Sequence, residues 1–411
     1  MSPTPSSNQP RRVPIWLLAV TMGCGAVGIT IISPSLNSIT SHFGADEAAS
    51  QALLSGYFIA LALSQLVYGP LSDRYGRRRP LLVGLVCYGL GGLAGAVAPS
   101  LELLVLARVL QGLGAASIAS IVRAIINDSY GRVEAAGAFA TISGIMVVVP
   151  MMSFAFGGLI NDWIGWRGIM AAISLSGWIP LVLVLWRLPE THLNPLQNVR
   201  LKALAREHRE LLSNRVFLAF MIASACNSGI FLSLIGFVPF EYVRIGVEAS
   251  SVGFWFTLIP VGYTAGNFIT KRFVQGLGLE RMTLAGSALS LVAMSALLFP
   301  SLLGWRHPLL IGLPCLVFGI SAGFVMANAT MGAIASAGPL GGSASGMVGA
   351  LQMGLGVLGG SMVVAVGGYE DFARGVLVLM ALAGGSTLAA LLAQHYSKLL
   401  PPAPIIPVEP G

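Results

Sequence analysis

The residue whose chemistry is most out of place in this sequence is Arg108, which lies in the apolar run LARVLQGLGA (Leu106 to Ala115). It falls about seven residues into an expected helix, roughly 10 Å along it at 1.5 Å per residue. A guanidinium at that depth in hydrocarbon costs several kcal/mol unless it meets a cavity or a polar partner. Gln111 lies one turn further on nearly the same face and can supply such a partner. The pair could hold a polar or anionic group or respond to a proton. The alternative is outward snorkelling of the arginine, which its distance from the helix end disfavours.

A second constellation is the loop GPLSDRYGRRRP, Gly69 to Pro80. Asp73, Arg74 and Arg77 can exchange charge-assisted hydrogen bonds with neighbouring helix ends, and so make contacts in one conformation that are released in another. Gly69 and Gly76 allow close backbone approach and a tight turn. The plainer reading is a positively charged turn, which needs the arginines but not the ordered Gly, Asp and Gly.

The carboxylates are as informative by where they are not. Asp46, Glu47, Asp162, Glu241, Glu248, Glu370 and Asp371 fall near one set of loops, and Asp73, Asp128, Glu134, Glu190, Glu207, Glu210, Glu280 and Glu409 near the other. Glu102 begins an apolar segment. No Asp, Glu or His lies in the middle of one, so the usual intramembrane proton carrier is missing. HExxH, paired carboxylates at one depth and a Walker loop are also missing, which argues against an enzyme, a metal centre, a cofactor and direct use of ATP. Cys24, Cys87, Cys226 and Cys315 lie in apolar runs without CxxC spacing and read as small core residues. Polar and aromatic groups that could line a path are Tyr57, Gln65, Asn227, Phe231, Tyr263 and Asn328. Taken singly, each fits helix packing more readily than ligand contact. Asn227 and Asn328 stand out, because a buried amide needs a partner.

The elements that must position these residues follow from composition. The chain is 55% hydrophobic and 9% charged, with mean hydropathy +0.81; ordinary soluble domains carry about 25% charged residues. This is a multi-spanning membrane protein. Crossing about 30 Å of hydrocarbon takes roughly 20 apolar residues. Twelve segments qualify, at 14–34, 50–71, 80–98, 101–125, 136–160, 166–188, 215–240, 250–270, 281–300, 307–333, 342–367 and 372–394. The net charge of +7 comes from arginines and lysines in short loops, a membrane topology signal rather than a nucleic-acid patch. With the N-terminus inside, eighteen basic residues are inside and four outside (Arg167, Arg244, Arg306 and Arg374). Both termini are therefore expected in the cytoplasm. Arg11 and Arg12 anchor the first span, which does not read as a cleavable signal. The expected organisation is a tail at 1–13, six spans at 14–190, a linker at 191–214, six spans at 215–395 and a Pro-rich tail at 396–411. The linker can form an amphipathic helix with Leu201, Leu204, Leu211 and Leu212 on its apolar side.

Several motifs then carry a family resemblance. The Gly69–Pro80 loop resembles the G-x-L-x-D-R-x-G-R-[KR] motif of the major facilitator superfamily, and LARVLQGLGA resembles the R-x-x-Q-G motif of its drug:proton antiporters. GIMVVVPMMSFAFGG, Gly144 to Gly158, is similar to their G-x(8)-G-P-x-x-G-G motif. Ser153 and Phe154 stand where that motif has Gly and Pro, and Pro150 can supply the kink instead. Gly157 and Gly158 suit close helix packing. GPLGGSASGMVGALQM at 338–353, FVMANATMGAIA before it, GWR at 165–167, LPET at 188–191 and GNFITKRF at 266–273 resemble the Bcr/CflA branch of multidrug-resistance transporters. Gly342 and Ser345 belong to a small-residue helix start that a partner could approach closely. That branch commonly has an aspartate where Thr30 stands here.

The resemblance implies an all-α major facilitator fold, with twelve helices in two pseudo-symmetric six-helix bundles in the bacterial inner membrane. It implies a monomeric secondary transporter that exports small amphipathic compounds by alternating access, with protons and membrane lipid as its other partners. Two routes stay open. Protons could use a peripheral carboxylate, Glu102 or Asp73, coupled to Arg108. Alternatively, a neutral or anionic metabolite could meet Arg108 directly, without a proton.

Overall fold

The computed structural model describes residues 12–46, 48–130, 132–191, 201–305 and 307–399. These residues form helices connected by short turns, as expected where lipid leaves the backbone no outside hydrogen-bond partner. The first half comprises α1 (Ile15–Thr30), α2 (Leu36–Phe43), α3 (Ala49–Tyr75), α4 (Arg78–Ala96), α5 (Leu101–Ser129), α6 (Arg132–Ile164) and α7 (Trp166–Arg187). After α8 (Leu201–Ser213) come α9 (Arg215–Arg244), α10 (Ala249–Phe256), α11 (Leu258–Leu302), α12 (Pro308–Ser336), α13 (Gly341–Ala365) and α14 (Phe372–Leu399).

Two helical bundles result. In one, α5 packs on α3 and α4, and α7 on α4; in the other, α9 contacts α12, α13 and α14, and α11 lies along α12. Small residues set the closest approaches. Gly262 and Gly266 of α11 face Gly319 and Gly323 of α12, so that a Cβ on any of them would fall against the opposite backbone. This paired GxxxG contact was not singled out from the sequence, although its spacing is that of close helix packing in membranes.

Ten helical segments among the described residues are long and apolar enough to cross a membrane, against the twelve expected. One runs over Ser251–Leu302, 52 residues, and is broken at Gly278, whose φ of 81° and ψ of 165° are not helical. Another expected span belongs to α6, of which only Val148–Ile164 appears as a shorter apolar helix. The first apolar span, expected at 14–34, runs on to Phe43, but helix α1 ends within it. The last residue of α1 is Thr30, because Pro34 has no N–H for the next turn.

The Gly76–Arg79 loop marks one end of the bundles, here termed the basic end. Exposed Trp16 and Trp186 ring that end, and exposed Trp163 and Trp305 the opposite one. Such aromatic belts sit at the two membrane interfaces. Between them, exposed Leu63, Val83, Leu106, Val182, Phe268 and Leu388 make an apolar outer wall.

The bundles meet along α3–α13 and α6–α10. The described polar and ring contacts between them gather toward the end opposite the basic loop: Ser33 with Ile235, Gln51 with Tyr369, and Phe154 with Phe256. The small-residue start of α13 was expected to receive a close partner. In this conformation a Cβ at Gly346 would have open space, and one at Gly341 would meet only Ile334 at 3.4 Å. Ser345 is half-buried, and the surroundings of Gly342 lie outside the described residues. Helix α8 forms as expected, with Leu211 buried; Leu212 is instead exposed, while the side chains of Leu201 and Leu204 fall outside the described set.

Candidate functional site

Arg108 is fully buried inside the first bundle. Its Nη1 donates to the Gly28 carbonyl at 3.0 Å and to Gln111 Oε1 at 2.7 Å. Gly28 lies two residues before the end of α1, where helix carbonyls run out of partners and carry partial negative charge. The guanidinium carbon lies 4.2 Å from the centre of the Tyr57 ring, on α3. A carbonyl at a helix C-terminus and the face of an aromatic ring thus stand where a carboxylate would be expected. Of the two options open to a charge at this depth, the structure realises the polar partner and not the exposed cavity.

The surrounding packing holds this geometry. Tyr88 on α4 donates to the Cys24 carbonyl of α1 at 2.8 Å, and its hydroxyl would lie 2.5 Å from a Cβ on Gly28. A Cβ on Gly112 would press on the Tyr57 carbonyl, and one on Gly91 would lie 2.6 Å from Gln111 Cγ. Small residues thus bring α1, α3 and α4 against the Arg108 face of α5.

Among the described residues, Arg108 Nε and Nη2, Gln111 Nε2 and the Tyr57 hydroxyl have no hydrogen-bond partner. The unpartnered nitrogens are donors, and the Tyr57 hydroxyl can donate or accept. Glu102 is exposed in the first turn of α5 and is no partner of Arg108 in this conformation. Thr30 is buried, with Oγ1 turned back to the Ala26 carbonyl at 3.1 Å.

The loop at the basic end is a second cluster. Arg77 Nη1 donates to Asp73 Oδ1 at 2.5 Å and to Ser72 Oγ at 2.7 Å, and its Nε donates to Asp128 Oδ2 at 2.8 Å. Asp128 belongs to the end of α5, so one arginine ties α3, the loop and α5 together. Burial disfavours the charged form of Arg77, but the hydrogen bonds and charges of Asp128 and Asp73 outweigh it and raise its pKa. Glu190, beyond the end of α7, accepts from the Arg77 and Arg78 amides at 2.7 and 3.1 Å. It caps the start of α4 from another part of the chain, beside Gly76, whose φ is +84°. Gly76 fits the expected tight turn. Gly69 does not show the expected close approach in this conformation, since a Cβ there would meet nothing within 4 Å. Arg74 stacks on Tyr75 at 5.2 Å, away from the Asp73–Arg77 pair.

The remaining expected residues are dispersed. Asn227 Nδ2 donates to Ser290 Oγ at 3.1 Å, joining α9 to α11, and Asn328 Nδ2 bonds its own helix at Phe324 O, 2.6 Å away. Phe231 and Tyr263 are half-buried against the apolar core. Pro150 lies within α6, Gly158 is buried, and a Cβ on Gly157 would lie 2.5 Å from the Ile31 carbonyl at the end of α1. Asp128, Gln51 and Glu190 were not singled out as site residues from the sequence; Asp128 and Glu190 were only placed among the carboxylates of one set of loops, and Glu190 lay in the LPET motif.

A Major Facilitator Superfamily profile matches residues 18–362, most of the chain and both bundles. The chain belongs to this superfamily. It is a membrane transporter of the major facilitator fold and not an enzyme. Among its relatives, a bicyclomycin resistance protein homolog of Haemophilus influenzae is 25% identical over 372 residues, covering 90% of this chain and 92% of the relative. The multidrug resistance protein MdtM of Escherichia coli K12 is 28% identical over 296 residues, covering 71% and 72%. The major facilitator fold is also that of a bacterial homolog of the human lysosomal transporter Spinster in its inward-facing, unoccupied conformation, with TM-score 0.72, 18% identity and coverage of 93% and 96%. A D-xylose–proton symporter superposes with TM-score 0.74 at 15% identity, covering 92% and 96%. The superfamily assignment makes the chain a multi-pass secondary transporter of small organic solutes, associated with resistance-type relatives.

Proposed function

We propose that this chain exports small amphipathic, drug-like compounds across the bacterial inner membrane by proton-coupled alternating access. The observation that carries the reading is its similarity to the bicyclomycin resistance homolog along nearly the whole of both chains. The Bcr/CflA branch is the assignment its motifs favour. In this reading there are twelve transits, with Gly278 dividing the Ser251–Leu302 segment and α6 supplying one more. The two halves, 14–190 and 215–395, act as rocking bodies joined by the linker at 191–214, and one copy suffices. Both termini lie in the cytoplasm, so the basic end faces inward and the contacts at the other end close the outer side.

Within this mechanism Arg108, held by Gly28, Gln111 and Tyr57, is the coupling residue of the first bundle. The cluster of Gly69, Asp73, Arg74, Gly76 and Arg77 forms the cytoplasmic gate. Thr30, Asn227, Phe231, Tyr263 and Asn328 border the path, and Glu102 or Asp73 receives the proton. Apolar walls with few polar groups suit amphipathic solutes.

A second reading has a specific observation behind it. Among the described residues, the charge buried in the centre of the first bundle is the positive Arg108, and it has no acidic partner there. That favours a neutral or anionic metabolite, moved without a proton. Proteoliposomes loaded with candidate compounds, with and without an imposed pH gradient, separate the two. Gradient-stimulated efflux that is lost in Glu102→Gln or in Asp73→Asn supports the first reading and names the carboxylate. Gradient-independent movement of an anion supports the second. If Arg108→Ala leaves all transport unchanged, the coupling role of that residue is wrong.

A further inference from the structure

Gln51 is buried near the start of α3, at the end opposite the basic loop, only 6% exposed. Its Nε2 donates to Ser55 Oγ one turn along at 3.1 Å, and its Oε1 accepts from the Tyr369 hydroxyl of the second bundle at 3.5 Å. The side chain projects into a space walled by two glycines of that bundle. A Cβ on Gly236 of α9 would lie 2.9 Å from Gln51 Oε1, and one on Gly360 of α13 would lie 2.5 Å from Gln51 Cδ and 2.6 Å from Oε1. All three of the nearest atoms to a Cβ at Gly360 belong to Gln51. The space at Gly360 thus serves the contact between bundles rather than packing within one.

The second bundle holds Tyr369 in place. The Tyr369 ring lies 5.3 Å from that of Phe240 and 6.4 Å from that of Phe237, and its carbonyl accepts from Arg244 Nη2 at 2.5 Å. A second bond crosses one residue away from Gly236. Ser33 Oγ, in the turn after α1, donates to the Ile235 carbonyl at 2.8 Å. In a regular helix that carbonyl would receive the N–H of residue 239, but Pro239 has none. The proline thus frees an acceptor inside α9, and the other bundle fills it.

We propose that Gln51 is a positioning residue for transport: a knob that seats between Gly236 and Gly360, bonds Tyr369, and, with the Ser33–Ile235 bond, latches the bundles shut at this end. The two glycines are required only while the latch is closed. The proposal rests on the alternating-access reading, in which the bundles part here in the opposite state.

The test uses the full-length protein in lipid nanodiscs, with the native cysteines replaced by alanine and spin labels attached at paired cysteines. Asp162→Cys and Glu370→Cys report the latched end; Arg79→Cys and Arg281→Cys report the basic end. All four positions are exposed. Gly360→Ala is expected to shift the population at the latched end toward longer distances. Adding Gln51→Ala, which removes the obstructing amide, returns it toward the unsubstituted distribution. Gln51→Ala alone weakens the latch and populates the open distance to a smaller extent. An unchanged distribution in Gly360→Ala, or no return in the double variant, overturns the latch. The basic-end pair tests the reading beneath it: reciprocal shortening supports rocking, whereas lengthening confined to the latched end keeps the latch and removes the rocking.

Discussion

The guanidinium carbon of Arg108 lies 4.2 Å from the centre of the Tyr57 ring, deep in the first bundle and out of reach of solvent. A cation–π contact in a desolvated setting is worth about 2 kcal/mol or more. Tyr57→Phe keeps the ring face and should cost little; Tyr57→Leu removes it and should lower stability by about 2 kcal/mol. Thermal unfolding in detergent checks this. Equal losses in the two variants would mean that the ring acts only as bulk.

Arg108→Lys retains charge but loses the planar guanidinium and its longer reach, through which one terminal nitrogen, Nη1, donates to both the Gly28 carbonyl and Gln111. Leaving one of these acceptors unpaired costs about 1–3 kcal/mol. Transport should fall about tenfold, since 1.4 kcal/mol corresponds to that factor. Initial rates in proteoliposomes, normalised to reconstituted protein, give the comparison, and a Lys variant with full activity would show that charge alone suffices.

Glu190→Gln leaves a single acceptor oxygen and no charge opposite the Arg77 and Arg78 amides. Charged hydrogen bonds are worth about 1.5–3 kcal/mol, so stability should drop by about that much. Hydrogen exchange at the first turn of α4 is the local readout. It should accelerate in this variant and not in Arg74→Ala, since the Arg74 side chain stacks on Tyr75 and, among the described residues, does not bond the start of α4.

Asn227 joins α9 to α11 through Ser290 Oγ. Interhelical hydrogen bonds of this kind average about 0.6 kcal/mol and reach about 1.7. Asn227→Ala should lower the unfolding midpoint slightly. A large rise in KM for a transported compound, with stability unchanged, would instead make this residue a direct contact.

Gly112 lies where a Cβ would press on the Tyr57 carbonyl and come within 2.9 Å of Ala60 Cβ. Both obstacles are backbone or short side chain and cannot swing away. Gly112→Val should therefore separate α3 from α5, disturb the Arg108–Tyr57 contact and reduce folded yield. Size-exclusion profiles of detergent-solubilised protein check this against Gly69→Ala, where open space predicts no change.

The sequence alone determined the membrane class, most of the helical segments and the need of Arg108 for a polar partner. Those readings depend on apolar length and on the cost of charge in hydrocarbon, both local properties of the chain. The pairing of Arg108 with Gln111 was equally legible, because residues three apart share a helix face. Tertiary structure decided what stabilises the charge of Arg108. The Gly28 carbonyl and the Tyr57 ring come from helices 80 and 51 residues away in sequence (108 − 28 and 108 − 57), and neither residue type announces such a role. The same holds for Glu190 capping α4 and for Gln51 seated between Gly236 and Gly360. Each depends on which helix faces come together, and in a membrane that choice is made by small residues fitting across an interface, not by hydrophobic patterning that every lipid-facing helix shares.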